Sequence, residues 1–369
     1  EEILADGLKV RVLAGGILTS RKGLAIRGVD VDMDAFPEKD QRDLRFCLEK
    51  GADFVAVSFV RSAEDIIRVK KFIREHLGDK EHLPSVIAKI ETLSGLKNID
   101  SILRESDGIM IARGDLGLQI GVEAVPRAQK DLIGAARAQG KPTIVATQML
   151  ESMIKNPTPT RAEATDVFNA ISDGCDAVML SGETSVGVRP SAAVKTMDRI
   201  ARMAESHARD SKSLRRNRKE TRARMGTQVD THTIGRVNED IALMAVEFAE
   251  RIPAHAVLSF TRTGATPRRM SHYRPGIPLI GACWTADLAR SLLVHYAVHP
   301  VIMPKTTADP RISDLVALVR PSLREKYGLE PGAAVVVTGS IDWRRGGTNT
   351  IRVVVEDIKS FEEAGDSAS

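Results

Sequence analysis

Between residues 29 and 205, short apolar runs alternate with longer segments whose apolar positions recur every three or four residues. Runs at 54–59, 86–90, 108–112, 143–146 and 177–180 read as strands, because each is brief, apolar and bounded by turn-forming residues. The segments 38–50, 62–77, 96–103, 127–138, 160–171 and 190–204 read as helices. In 62–77, Ile66, Val69, Ile73 and Leu77 line one face behind Ser62 as N-cap. Thr160 and Glu163 have the spacing of a capping box, and Gly51 and Gly140 are helix stops.

The five strands are near-continuous apolar runs rather than alternating ones. That pattern predicts parallel strands covered on both faces. Each is followed by polar residues: Ser58 and Arg61, Lys89 and Glu91, Arg113 and Asp115, Thr147 and Gln148, Ser181 and Glu183. A (β/α)8 barrel carries its chemistry at the C-terminal ends of its strands, and the five clusters follow that rule. The expected fold is therefore α/β, a partial (β/α)8 barrel of about five of eight βα units over 29–205. Residues 1–28, short apolar stretches broken by glycines, predict β-rich structure.

Residues 206–230 carry eight Lys and Arg residues and read either as an anionic-partner patch or as a solvated linker. A second α/β unit is expected over 231–358. A helix at 235–250 precedes apolar runs at 256–260, 279–281, 298–303, 335–337 and 351–355, which predict a small doubly wound mixed sheet. The polar tail 359–369 lies beyond it.

Composition adds exclusions. The 369 residues carry a formal net charge of +4, too little to argue for nucleic acid. No apolar run approaches the roughly 20 residues of a membrane span. Cys47, Cys175 and Cys283 are three and widely spaced, which argues against a disulfide framework or a Cys-based zinc site and for a reducing, cytoplasmic setting. A G-x-x-x-x-G-K-[ST] loop and a G-x-G-x-x-G fingerprint are both absent, and no Ser/His/Asp arrangement stands out.

Lys89 and Glu91 lie two apart at a strand end, so their side chains share a side. Glu91 with Asp115, at the ends of neighbouring strands, forms a pair of hard oxygen donors suited to Mg2+ (or Mn2+). A buried ion pair and a turn aspartate is the other reading. Gly114 and Gly117 leave backbone N–H groups open to an anion such as a carboxylate, and Thr147 either aims a hydroxyl at the same mouth or caps a helix or turn. In the second unit, Thr261-Arg262-Thr263-Gly264-Ala265-Thr266 joins a strand to a helix expected to open near Pro267. With Trp343, Arg344 and Arg345 it makes either a phosphate pocket or a capped loop and a surface turn.

Long strings of this chain resemble the pyruvate kinase family. They are AVSFVRSAEDI (56–66), IAKIETLSGLKNID (87–100), GIMIARGDLGLQI (108–120), TIVATQMLESMIKNPTPTRAEATDVFNAI (143–171) and DAVMLSGETSVGVRP (176–190), with weaker likeness up to TNTIRVVV (348–355). The resemblance implies phosphoryl transfer from phosphoenolpyruvate to ADP. Lys89 would neutralise charge on the phosphoryl and the enolate, and Glu91 and Asp115 would hold Mg2+. The backbone around Arg113, Gly114 and Asp115, with Thr147, would bind the substrate carboxylate, while Ser181 and Glu183 support proton delivery. The loop Thr261–Thr266 matches the family's phosphate-holding loop for an allosteric effector, with Arg262 and Ala265 departing from its usual hydroxyl-rich form. A cytoplasmic homotetramer without nucleic-acid or membrane partners is the family expectation.

Family members have three further barrel strands before Val29, which carry substrate-phosphate and nucleotide arginines and most of the K+ ligands. The chain opens Glu1-Glu2-Ile3-Leu4 without those strands and with only the edges of the family's lid domain. The expectation is thus a pyruvate kinase lacking its front, with Ser58 surviving from an incomplete K+ site. A non-catalytic metabolite-sensing relative, and a Mg2+-dependent 2-keto-acid lyase or aldolase on a related barrel, are the alternative readings.

Overall fold

A parallel strand buried on both faces needs cover on each, and its alternation decides which side chain meets which layer. The structure, a computed structural model, describes residues 2–4, 6–17, 20, 26–29, 34–78, 80, 82–210, 234–304, 312–330, 332–339 and 348–355. In the first unit α1 (Glu38–Glu49) leads to β3 (Phe54–Val57), α2 (Ala63–Leu77), β4 (Ser85–Ile90), α3 (Leu93–Lys97) and α4 (Ile99–Glu105). Then come β5 (Gly108–Ala112), α5 (Arg113–Ile120), α6 (Val125–Ala138), β6 (Thr143–Ala146), α7 (Arg161–Asp173), β7 (Ala177–Met179), α8 (Gly182–Ser185) and α9 (Pro190–Asp210). The strands pair in parallel in the order β3-β4-β5-β6-β7. The sheet does not close on itself among the described residues, which agrees with the expected partial barrel.

Val86, Ala88 and Ile90 of β4 point to the helices and join the main core with Ile66, Ile73, Ile109 and Ile133. Ile87, on the other face, packs with Met110 and Ala146 in a small second cluster. Complete burial holds for the central strand, β5, whereas β3 and β7 are only partly covered. Among the described residues they are the edges of the sheet, and edge strands lack a neighbour on one side.

Details of the pattern shift in the three-dimensional structure. Helix α5 begins immediately after β5, so Gly114 and Asp115 occupy a helical first turn rather than an open glycine loop. The segment expected as one helix at 96–103 is two short ones, separated at Asn98. Helix α9 continues through Asp210, into the stretch read as linker, of which the remainder lies outside the described residues. Of the β-rich structure expected over 1–28, the described residues hold one antiparallel pair, β1 (Glu2–Leu4) with β2 (Gly7–Lys9).

The second unit contains α10 (Ile234–Arg251), β8 (Ala256–Thr261), α11 (Ala265–His272), β9 (Leu279–Cys283), α12 (Ala286–Leu292), β10 (Val298–Ile302), α13 (Ile312–Tyr327), β11 (Ala334–Gly339) and β12 (Thr350–Val355). Its mixed sheet runs β10-β9-β8-β11-β12, with β12 antiparallel. Helices α10, α11 and α12 cover one face and α13 the other, giving the doubly wound arrangement. Helix α11 starts at Ala265, two residues before the expected position, because Gly264 at φ 78° turns the chain into it. The tail 359–369 lies outside the described residues.

The second unit docks on the N-terminal ends of the first unit's strands. Arg290 of α12 bonds Asp53 before β3 at 2.8 and 2.9 Å, and Thr285 meets His82 before β4 at 3.2 Å. Asp176, before β7, accepts from the backbone N–H of Thr143 (2.9 Å) and of Tyr296 (3.2 Å). It also pairs with Arg274, whose guanidinium donates to the Gly174 carbonyl and lies over the Tyr296 ring. Gly140 admits the His272 ring so closely that a Cβ there would stand 2.6 Å from its Cε1, and its φ of +68° also favours glycine.

Two outcomes are expected. Asp176→Ala removes the carboxylate from a buried pair and should cost about 3 kcal/mol in urea unfolding. A loss below about 1 kcal/mol would show that the contact is dispensable. Burial pushes the His272 imidazole down from 6.5 to about 4, so the native state holds it neutral. The unfolded chain binds that proton first, so stability is full above about pH 6.5 and falls as the pH drops toward 4. Urea midpoints across this window should decline in the native sequence and decline less in His272→Gln.

Candidate active site

The period of β4 that sends Val86, Ala88 and Ile90 to the helices sends Ile87, Lys89 and Glu91 to the opposite face, the polar pair at its C-terminal end. The Lys89 ammonium lies 2.9 Å from Glu91 Oε1 and donates to Ser58 Oγ at 2.9 Å. Glu91 is 1% exposed and its Oε2 accepts the Phe59 backbone N–H at 2.6 Å. Lys89 keeps a quarter of its side chain accessible. A buried carboxylate thus aims a partly exposed ammonium into the mouth. Sequence reading found Lys89 and Glu91 from their spacing. It did not find the Phe59 N–H, because a backbone donor has no residue-type signal.

At the ends of β5 and β6, Gly114 donates its N–H to Thr147 Oγ1 at 2.9 Å, and that hydroxyl donates to the Ala146 carbonyl at 2.6 Å. The Gly114 N–H expected to face a substrate is therefore engaged by Thr147 in this state. Thr147 and Gln148 have φ of 70° and 53°, and Phe59 has 53°. Half of the six described non-glycine residues with positive φ thus lie at these strand ends. Such strain is retained where surrounding contacts over-determine it, and it clusters at functional sites.

The Arg113 side chain turns inward. It donates to Asp166 Oδ1 (2.6 Å), the Thr147 carbonyl (2.9 Å), Gln129 Oε1 (3.3 Å) and Met149 Sδ (2.9 Å). Its guanidinium braces the β6 loop instead of facing the mouth. Gln129 was missed, although a signal existed: it interrupts the stripe of α6 completed by Leu132, Ile133 and Ala136. Asp166, half-exposed on α7, gave no such signal.

Glu183 is buried, and its two oxygens accept the backbone N–H groups of Leu150 (2.9 Å) and Ser181 (2.8 Å). It ties the β6 loop to the β7 loop, leaving the half-buried Ser181 beside the mouth. Asp115 is exposed on the first turn of α5 and makes no hydrogen bond or ion pair among the described residues. The described residues contain no group of three or more His, Cys, Asp or Glu side chains able to hold a metal. Glu91 and Asp115 follow paired strands, so two carboxylate donors are on hand. That number suits an ion that draws its other ligands from water and substrate oxygens.

On the second unit, Thr261 Oγ1 accepts the Gly264 N–H at 2.8 Å, and Thr266 bonds the Thr348 hydroxyl. Thr261 thereby holds the loop's own shape, and Thr266 ties the start of α11 to Thr348, just before β12. Arg262 and Thr263 stay exposed at its tip. Trp343 and Arg344 lie outside the described residues.

A family model described as pyruvate kinase, barrel domain, matches residues 1–194, and one described as pyruvate kinase, alpha/beta domain, matches residues 239–354. A pyruvate kinase of Sporosarcina psychrophila is 39% identical over 340 residues, spanning 92% of this chain and 55% of the relative. One of Clostridium acetobutylicum is 39% identical over 342 residues, spanning 92% and 68%. Pyruvate kinase PKLR of Homo sapiens is 40% identical over 369 residues, spanning 96% and 60%. The chain therefore spans little more than half of the Sporosarcina relative's length.

Glu183→Ala leaves two buried N–H groups without their acceptor and should lower stability by about 3 kcal/mol in urea unfolding. Glu183→Gln, which keeps one carbonyl oxygen, should lose about half of that. Equal stability of all three proteins would rule out the tie.

Proposed function

Because this chain belongs to the pyruvate kinase family, we propose that its mouth serves phosphoryl transfer from phosphoenolpyruvate to ADP, giving pyruvate and ATP. The observation that carries this reading is the Lys89 ammonium, held by Ser58 and a buried Glu91 yet still accessible. Phosphoryl transfer depends chiefly on positioning and on charge placed where negative charge develops. Lys89 supplies a fixed positive charge to the phosphoryl in flight and to the enolate it leaves. A substrate carboxylate would take the Gly114 N–H from Thr147 at the N-terminal turn of α5, where the helix dipole favours an anion. Ser181 offers a hydroxyl for proton delivery to the enolate. Glu183 acts on it as a positioning residue, since its own oxygens are engaged.

Glu91 and Asp115 would hold the divalent ion, Mg2+ or Mn2+. When bound, that ion neutralises charge on substrate oxygens. Ser58 would contribute to a K+ site. The exposed tip of Thr261–Thr266, with Trp343 and Arg344, would receive a phosphorylated effector. A cytoplasmic homotetramer completes the reading. Among the described residues no helix is long and apolar enough to cross a membrane.

Membership of the family through both units favours this reading over a metal-dependent 2-keto-acid lyase or aldolase. A metabolite sensor that binds the same ligands without turnover is the second reading.

A coupled assay with ADP, phosphoenolpyruvate, Mg2+ and K+ tests both. Turnover that falls about a thousandfold in Lys89→Met is the expected result. Equal turnover in that variant would defeat the catalytic role of Lys89. Binding of phosphoenolpyruvate and Mg2+ without turnover in the native sequence would select the sensor.

A further inference from the structure

Each unit keeps its apolar core to itself. The clusters that hold Ile109 and Ile87 belong wholly to the first unit, and those that hold Val246 and Leu315 wholly to the second. Ion pairs and hydrogen bonds join them: Asp53 with Arg290, Asp176 with Arg274, His82 with Thr285. A cavity of about 420 Å3, lined by both units, interrupts the boundary. An interface of this polar kind permits relative motion of the units it joins.

Two imidazoles are buried in that boundary. His272, at the end of α11, presses on Gly140 of the first unit, and His295 follows α12. Each is only 7% exposed. Neither ring nitrogen of His272 has a hydrogen-bond partner among the described residues, and neither has Nδ1 of His295. Their surroundings are largely cationic. Arg269 and Arg274 act on His272, and Arg268, Arg274 and His272 act on His295. From the first unit, Arg137 lies with Arg274 beside Gly174, and Lys141, near Arg268, donates to the Ser106 carbonyl at 2.7 Å. Three carboxylates stand among these groups, and each is engaged: Asp176 by Arg274, Glu239 by Arg269 and Tyr273, and Asp107 by Lys70. The Cys175 thiol beside Asp176 is pushed up by burial to about 12 and stays neutral. An imidazolium formed here would meet arginines first, and a buried charge without its own partner is costly.

We propose that His272 and His295 form an acid-opened latch: on protonation they drive the second unit away from the base of the first, while each unit keeps its fold. The docked state holds both rings neutral, because burial lowers His272 from 6.5 to about 4 and His295 well below its ordinary range. Undocking returns the rings to water, where they bind protons first. Docking is therefore tightest above about pH 6.5 and weakens as the pH falls toward 4. His272 alone weakens it about thirtyfold at about pH 5. Asp176 accepts the Thr143 N–H as well as that of Tyr296, so opening reaches β6, the strand that ends beside Thr147. The latch stands independently of the reading of the mouth.

Small-angle scattering of the full chain from about pH 7.5 to about pH 4.5, at constant scattering mass and paired with far-UV circular dichroism, tests the latch. The radius of gyration should rise reversibly on acidification while the helical signal is kept. The midpoint of that rise should move down by about half a pH unit or more in His272→Gln and in His295→Gln. His272→Arg, which carries the charge permanently, should be expanded already at neutral pH. His295→Gln reads the latch even if the substitutions at position 272 fail to fold. A native chain that stays compact throughout, expansion only together with loss of the helical signal, or an unchanged midpoint in both glutamine variants would each overturn it.

Discussion

The register of β4 is the constraint on which the first unit depends. Its six residues pair in parallel with β3 and β5, and the pleat sends Val86, Ala88 and Ile90 to the helices. Lys89 and Glu91 are thereby delivered to the other face. A slip of one residue would drive the ammonium into the helical core and bring Ala88 and Ile90 to the mouth. Asp107, which accepts the Val86 N–H at 2.8 Å, pins that register at the start of the strand. Asp176 does the same for Thr143 of β6. Both aspartates precede the next strand in the sheet, so one device repeats along its base.

The two ends of the sheet are built differently. At the mouth, carboxylates hold backbone: Glu91 takes the Phe59 N–H, and Glu183 takes those of Leu150 and Ser181. Phe59, Thr147 and Gln148 are kept in left-handed conformations there, and the inward Arg113 anchors the latter two through their carbonyls. At the base, acidic groups meet arginines of the second unit, in the pairs Asp53–Arg290 and Asp176–Arg274. Arg274 and Ala297, also at positive φ, flank those contacts. The mouth is thus stiffened from within the first unit, and the base is stiffened across the boundary between units.

Much of the fold was legible because it rests on local pattern. The 3.6-residue period of α2, the capping box of Thr160 and Glu163, and the apolar runs of the strands each follow from neighbours in the chain. The pairing of Lys89 with Glu91 was legible for the same reason, two residues on one face of a strand. The start of α5 at Arg113 was not, because glycines at 114 and 117 disfavour a helix locally. Thr147 Oγ1 and the engaged Gly114 N–H lie across two strands, and only the fold sets them together.

Residue type and period alone determined five parallel strands, their order of polar ends, a second doubly wound unit and the candidate ammonium and carboxylates. The tertiary structure alone decided the inward turn of Arg113, the engagement of both Glu183 oxygens, and the docking of the second unit at the base. The reason is separation along the chain. Arg113 meets Asp166 across 53 residues and Arg290 meets Asp53 across 237, and no local period encodes contacts made when distant loops converge.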